Sequence, residues 1–260
     1  MKRNAVARIV IYSLIVLILL GILIAGLGLD LYSFRRDSEL VYTDGDEISL
    51  DADEISWIEL NWAAGSISIR TADTDQITFT ESGTTDKYRM SYELEGGKLS
   101  IDYTARSIIG AGNIPGKDLT ITVPTDWVCK GLELDGAALE VEIDGLNVLD
   151  FEIDGAANEI DFTGSLRELD CDGASCRLNL NCLEAPSKID LDGASVEMTI
   201  CLPSECGFLA EISGLSCFFH SELDYTHRDD TYSYGDKHCK ISADGLSCSI
   251  TVEQSVESNR

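Results

Sequence analysis

The sequence predicts an all-β fold: a β-solenoid, parallel and β-helix-like, built of repeats of about 19–20 residues and preceded by one N-terminal transmembrane helix. Three observations predict it. A glycine-centred cluster recurs down the second half of the chain, apolar and polar residues alternate within each copy, and a long uncharged run lies near the N-terminus.

The uncharged run extends from Ile9 to Leu29, and its 21 residues are enough to span a bilayer as a helix. Lys2, Arg3 and Arg8 precede it, so the positive-inside rule expects residues 1–8 in the cytoplasm and the rest outside, with Arg35 and Arg36 acting against that orientation. Gly26 and Gly28 form the small-x-small pair of a cleavable signal peptide, the competing reading. The apolar core is longer than the roughly 7–15 residues usual for such a peptide. Residues 9–29 are thus read as a transmembrane helix and 30–46 as a juxtamembrane linker. The β-repeat domain follows at 47–252 and a C-terminal tail at 253–260. The expected location is the cell membrane, single-pass, with the bulk of the chain extracytoplasmic.

The repeat is clearest in LELDGAALEVEI (132–143), FEIDGAANEIDF (151–162), LDCDGASCRLNL (169–180) and IDLDGASVEMTI (189–200), with looser copies from Ala210 and Ile241. Its glycines fall at 136, 155, 173, 193, 214 and 245. Such a period marks stacked units that bury a common core between them. Leu132, Leu134, Leu139, Val141 and Ile143 alternate with Glu133, Asp135, Glu140 and Glu142, the pattern of strands with one buried and one wet face. Each copy therefore reads as strand, tight corner, strand. Aligned on the glycines, Leu134, Ile153, Cys171, Leu191, Ile212 and Ala243 form a core ladder, and Ala137, Ala156, Ala174, Ala194, Leu215 and Leu246 occupy the corner. ELNWAAGSISI (59–69) overlays the same pattern with Asn61 at the Asp position and Trp62 at the Gly position. QITFT, YRMSYEL, KLSIDY and KDLTITVP add strands that belong to earlier coils or to a capping sheet.

Forty-six Asp and Glu residues against nineteen Lys and Arg give a formal net charge of −27, with every acid at Asp30 or later. Such a surface repels nucleic acid and expects cationic partners: metal ions, basic proteins or amine-bearing wall polymers. The charge also serves solubility alone.

Nine cysteines lie from Cys129 onward, several at inward positions where they act as small hydrophobes. Cys217 and Cys248 share a column and would meet on neighbouring coils, within disulfide reach, if the segment between them bulges out. The column Asp135, Asp154, Asp172, Asp192 and Asp244 could stack carboxylates that calcium would relieve, although Asp before Gly is ordinary turn chemistry. His220, His227 and His238 flank a segment carrying Tyr225, Tyr232 and Tyr234. Their spacing matches no metal motif, and the segment is read as an exposed aromatic loop, the best candidate contact surface. Nucleophile elbows, phosphate loops and dinucleotide fingerprints are absent, so no catalytic, cofactor-binding or metal-binding residue is assigned and no cofactor is expected.

WAAGSISI, GKLSI, KDLTITVP, the stacked DGA units and the closing YGDKHCKISADGLSCSITV together resemble the putative-adhesin domain of unknown function of membrane-anchored β-strand-repeat proteins in Gram-positive bacteria. The resemblance covers residues 47–252. It implies a non-enzymatic cell-surface adhesion or interaction module with a cell-wall or protein partner. The alternative is an envelope-stress or regulatory component working through a membrane partner, with Gly21 and Gly26 packing against another helix.

Overall fold

Alternation of inward apolar and outward polar residues produces fifteen strands among the described residues, which in this computed structural model are 41–42, 47–83, 89–103 and 116–255. In chain order they are β1 (Val41–Tyr42), β2 (Ile48–Asp51), β3 (Trp57–Trp62), β4 (Ala64–Ala72) and β5 (Gln76–Ser82). Next come β6 (Ser91–Glu95), β7 (Lys98–Tyr103), β8 (Lys117–Pro124), β9 (Val128–Cys129) and the long β10 (Gly131–Glu184). Last are β11 (Lys188–Leu202), β12 (Phe208–Ser221), β13 (Thr226–Arg228), β14 (Thr231–Tyr234) and β15 (Cys239–Gln254).

The repeats stack in parallel and in register. Cys171 pairs with Leu191, Leu191 with Ala243, and Ala243 with Ile212, so the predicted core ladder forms and is buried throughout. Leu60 pairs with Leu134 and Asn61 with Asp135, which places ELNWAAGSISI on the repeat as the alignment expected. Each register steps over the residue after the glycine, from Gly173–Gly193 to Ser175–Ser195, where the chain turns its corner. Glycine is required there by close approach. A Cβ on Gly136 would lie 2.5 Å from the Trp62 carbonyl oxygen, one on Gly173 2.8 Å from that of Gly155, and one on Gly193 2.5 Å from that of Gly173.

The fold departs from the expected parallel solenoid. The strands belong to one mixed sheet in which β1–β6, β6–β7, β2–β5, β5–β8, β12–β14 and β13–β14 pair antiparallel. The physical reason lies at the ends of the stack. A parallel coil leaves a row of open backbone groups, and a short antiparallel strand covers them with a tight turn, whereas another parallel coil needs a crossover. Stacking order also differs from chain order: β3 and β4 lie between β7, β8 and β10, and β15 lies between β11 and β12.

The single-pass membrane placement is likewise corrected. Among the described residues no helix is long and apolar enough to cross a membrane, the only helix being the single 3-10 turn Ala52–Glu54. The segment 9–29 on which that reading rested lies outside the described residues, as does most of the 30–46 linker.

At the β8 end the core closes on a buried ion pair. Inward alternation along β5 carries Ile77, Phe79 and then Glu81, whose carboxylate pairs with Lys117 and accepts the Met90 backbone N–H at 3.0 and 3.2 Å. The Lys117 ammonium also lies 4.2 Å from the Tyr103 ring centroid and 5.3 Å from that of Trp62. Burial lowers the Lys117 pKa against the pull of Glu81.

Candidate interaction surface

The outward residues before each glycine form two acidic files. In one, Glu59 pairs with Glu133 and Asp170 with Asp190; in the other, Asp172 pairs with Asp192 and Asp192 with Asp244. Parallel neighbours lie about 4.8 Å apart, so like charges crowd along both files. Burial, and then the flanking Asp135 and Asp172, raise the pKa of Asp154. Burial followed by Glu133 does the same for Glu152, and burial followed by Asp190 for Asp170. Cations relieve the files locally: Lys98 contacts Glu133 at 2.8 Å and Glu59 at 3.3 Å, and Lys188 pairs with Asp190.

Beyond the corner, small residues open a trough of about 660 Å³ across six stacked levels, from β8 and β4 to the coil of Ser195. Ala138, Ala157, Ser175 and Ser195 line its floor, while Glu140, Glu159 and Glu197 stand along the rim. Arg177 bridges two of these, at 3.4 Å to Glu159 and 3.1 Å to Glu197. The floor follows from the last residue of the DGAA and DGAS units, because a larger side chain in that column would fill the depression. Asn158 also lines it. Only 4% exposed, Asn158 donates from Nδ2 to the Asp154 carbonyl at 3.5 Å, and its buried Oδ1 has no hydrogen-bond partner among the described residues.

The histidine- and tyrosine-bearing segment is a β13–β14 hairpin that caps the last coil. Tyr232 stacks on Phe219 with centroids 4.3 Å apart, His227 stacks on Tyr232 at 4.3 Å, and Tyr234 stacks on Phe208 at 6.1 Å. Much of the aromatic surface is therefore spent on packing. Among the described residues no group of three or more His, Cys, Asp or Glu side chains is arranged to hold a metal ion. Asp135, Asp154, Asp172, Asp192 and Asp244 do form a file, as the alignment places them.

Cys217 and Cys248 are register partners on neighbouring strands, and their Sγ atoms lie 3.2 and 4.0 Å from the Ser213 carbonyl oxygen. Both are free thiols in this structure. Cys171 and Cys176 approach to 2.8 Å across one corner. Burial pushes the Cys129 and Cys182 thiols up to about 12, which makes them poor nucleophiles.

Sequence reasoning located the file from Asp135 to Asp244 and missed both the file through Glu59, Glu133, Asp170 and Asp190 and the trough. The signal for the trough was present in the column Ala138, Ala157, Ser175, Ser195, one place beyond the corner column that the alignment singled out.

The chain matches no family model and no curated protein. It is similar to the solved structure of "a putative cell adhesion protein" from Clostridium sporogenes, at 14% identity and a TM-score of 0.49, over 81% of this chain and 99% of that one. It is similar also to "a putative adhesin" from Bacteroides fragilis, at 10% identity and a TM-score of 0.40, over 84% and 98% of the two chains. A third likeness is to "a putative adhesin" from Parabacteroides merdae, at 10% identity and a TM-score of 0.27, over 83% and 99%. With TM-scores below 0.5, the functional reading rests on this chain's own geometry.

Proposed function

We propose that this chain is a non-catalytic interaction module, adhesive in character, that engages a cationic linear partner along the small-residue trough. The observation that carries the reading is the trough itself. It crosses the strands rather than following one, so an extended chain lying in it meets Glu140 and Glu159 on neighbouring coils and Glu197 two coils beyond Glu159, with Arg177 between the last two. A basic peptide or an amine-bearing polymer offers positive charge at repeated intervals and fits that spacing. Its attraction to the rim also speeds encounter and weakens with salt.

The test is titration of the chain with fluorescent oligolysine, at low and high ionic strength. Saturable binding is expected, and Glu140→Gln, Glu159→Gln and Glu197→Gln together should weaken it about tenfold, since each exposed charge contributes roughly 0.2–1 kcal/mol. Ala157→Trp, which fills the floor without changing charge, should weaken it further. Equal affinity in the triple variant and the parent chain would overturn the trough as the binding site.

A further inference from the structure

The last strand of the stack is closed along only half its length. From Phe208 to Glu211, β12 pairs with β15 on one side and β14 on the other, and the Ile212 N–H donates to the Asp230 carbonyl. From Ser213 to Ser221 its ladder runs to β15 alone among the described residues. At the opposite end, among the described residues, β5 continues β8 and β2 continues β5, while β6 continues β7 and β1 continues β6, so the outermost ladders there are antiparallel.

An open edge presents unpaired N–H and C=O groups, and proteins usually guard it with charge. Here the guard is missing. No charged residue occurs from Ser213 to Phe219. Phe218, 67% exposed, stands where inner coils carry Glu140, Glu159, Arg177 and Glu197, and Leu215, 87% exposed, stands where they carry alanine. Leu246, 60% exposed, lies beside it on the neighbouring coil.

We infer that this edge joins two copies of the chain, with β12 of one pairing antiparallel to β12 of the other about a two-fold axis. Charge selects this occupant. At a net −27, two copies that met through their acidic files would set carboxylate against carboxylate, whereas this uncharged run lets them meet without doing so. Geometry closes the assembly. With the axis at Phe218, the straight arm Ser216–His220 pairs with itself, Phe218 lies against Phe218 of the second copy, and the contact is isologous. A two-fold contact uses this edge of each copy once, so assembly through it stops at two. The inference does not depend on what occupies the trough, which ends at Ser195 and Glu197 with the Ser247–Ser249 coil between it and Phe218.

The experiment is sedimentation velocity of the full chain over a wide concentration range, with hydrogen exchange read on the same samples. A dimer is expected for the parent chain and for Ser249→Lys, which places the same charge in the Phe218 column one coil further in. Phe218→Lys should weaken association at least about tenfold while leaving the melting temperature unchanged at concentrations where both chains are monomeric, because the side chain is exposed. Amides within 216–220 should gain protection with concentration in the parent chain and not in Phe218→Lys. A parent chain that is monomeric throughout, or one that dimerises equally well as Phe218→Lys, overturns the inference.

Discussion

The carbonyl oxygen of Gly193 faces Gly245, a residue 52 positions later, and not Gly214 of the next copy in the chain. A Cβ on Gly245 would lie 2.5 Å from that oxygen, and one on Gly214 would collide with the oxygen of Gly245 instead. One glycine column thus records the true order of the coils, with β15 inserted ahead of β12. It also states a steric requirement that can be tested.

Gly245→Ala should destabilise the chain by about 1–3 kcal/mol, the usual cost of forcing a methyl group into a filled site. Gly116→Ala is the control, since its added Cβ would meet only the Gly65 Cα at 3.6 Å. Denaturant unfolding of both variants measures the difference. Equal loss in the two would remove close coil contact as the reason for glycine.

The Glu81–Lys117 pair, with both side chains fully buried, predicts a second asymmetry. Lys117→Met alone strands a carboxylate in the core and should cost about 3–5 kcal/mol. Adding Glu81→Leu removes the stranded charge, and the double variant should recover most of the loss. A double-mutant cycle in which the two losses simply add would show that the residues do not act as a pair.

The acidic files set a pH dependence whose sign follows from the raised pKa values of Glu152, Asp154 and Asp170. In the folded chain these groups hold protons that they release in the unfolded chain. Their contribution is therefore fully present below the unfolded carboxylate value of about 4 and is lost as pH rises through the raised folded values. The melting temperature should be higher near pH 5 than near pH 7, and added salt should narrow the gap by screening. A melting temperature that falls on acidification from pH 7 to pH 5 would refute this.

Much of the stack was legible because its rules are local. Alternation fixes which residues face inward, the glycine period fixes the register, and together they placed Asn61 beside Asp135 and Cys217 beside Cys248. Stacking order was not legible, because the copies around Gly214 and Gly245 carry the same column pattern and either one satisfies the coil at Gly193. The antiparallel hairpin at the β12 end was hidden for a different reason. Tyr225 and Tyr232 read as an exposed loop when their packing partner, Phe219, lies on another strand, and His227 joins that cluster through Tyr232. Glu81 did leave a signal, falling at the inward place after Ile77 and Phe79, but a lone acid in so acidic a chain does not stand out without Lys117 beside it. Of the candidate site, the file from Asp135 to Asp244 was visible as a column, while the trough depends on which small side chains face outward after the corner.

The insertion of β15 between β11 and β12 changes how the body answers to force. Tension applied at Gln254 draws on a strand held by parallel ladders on both flanks. Two rows of hydrogen bonds must therefore shear together. Had the coils stacked in chain order, the same pull would have peeled away a terminal strand one bond at a time, so the late insertion turns a zipper into a clamp.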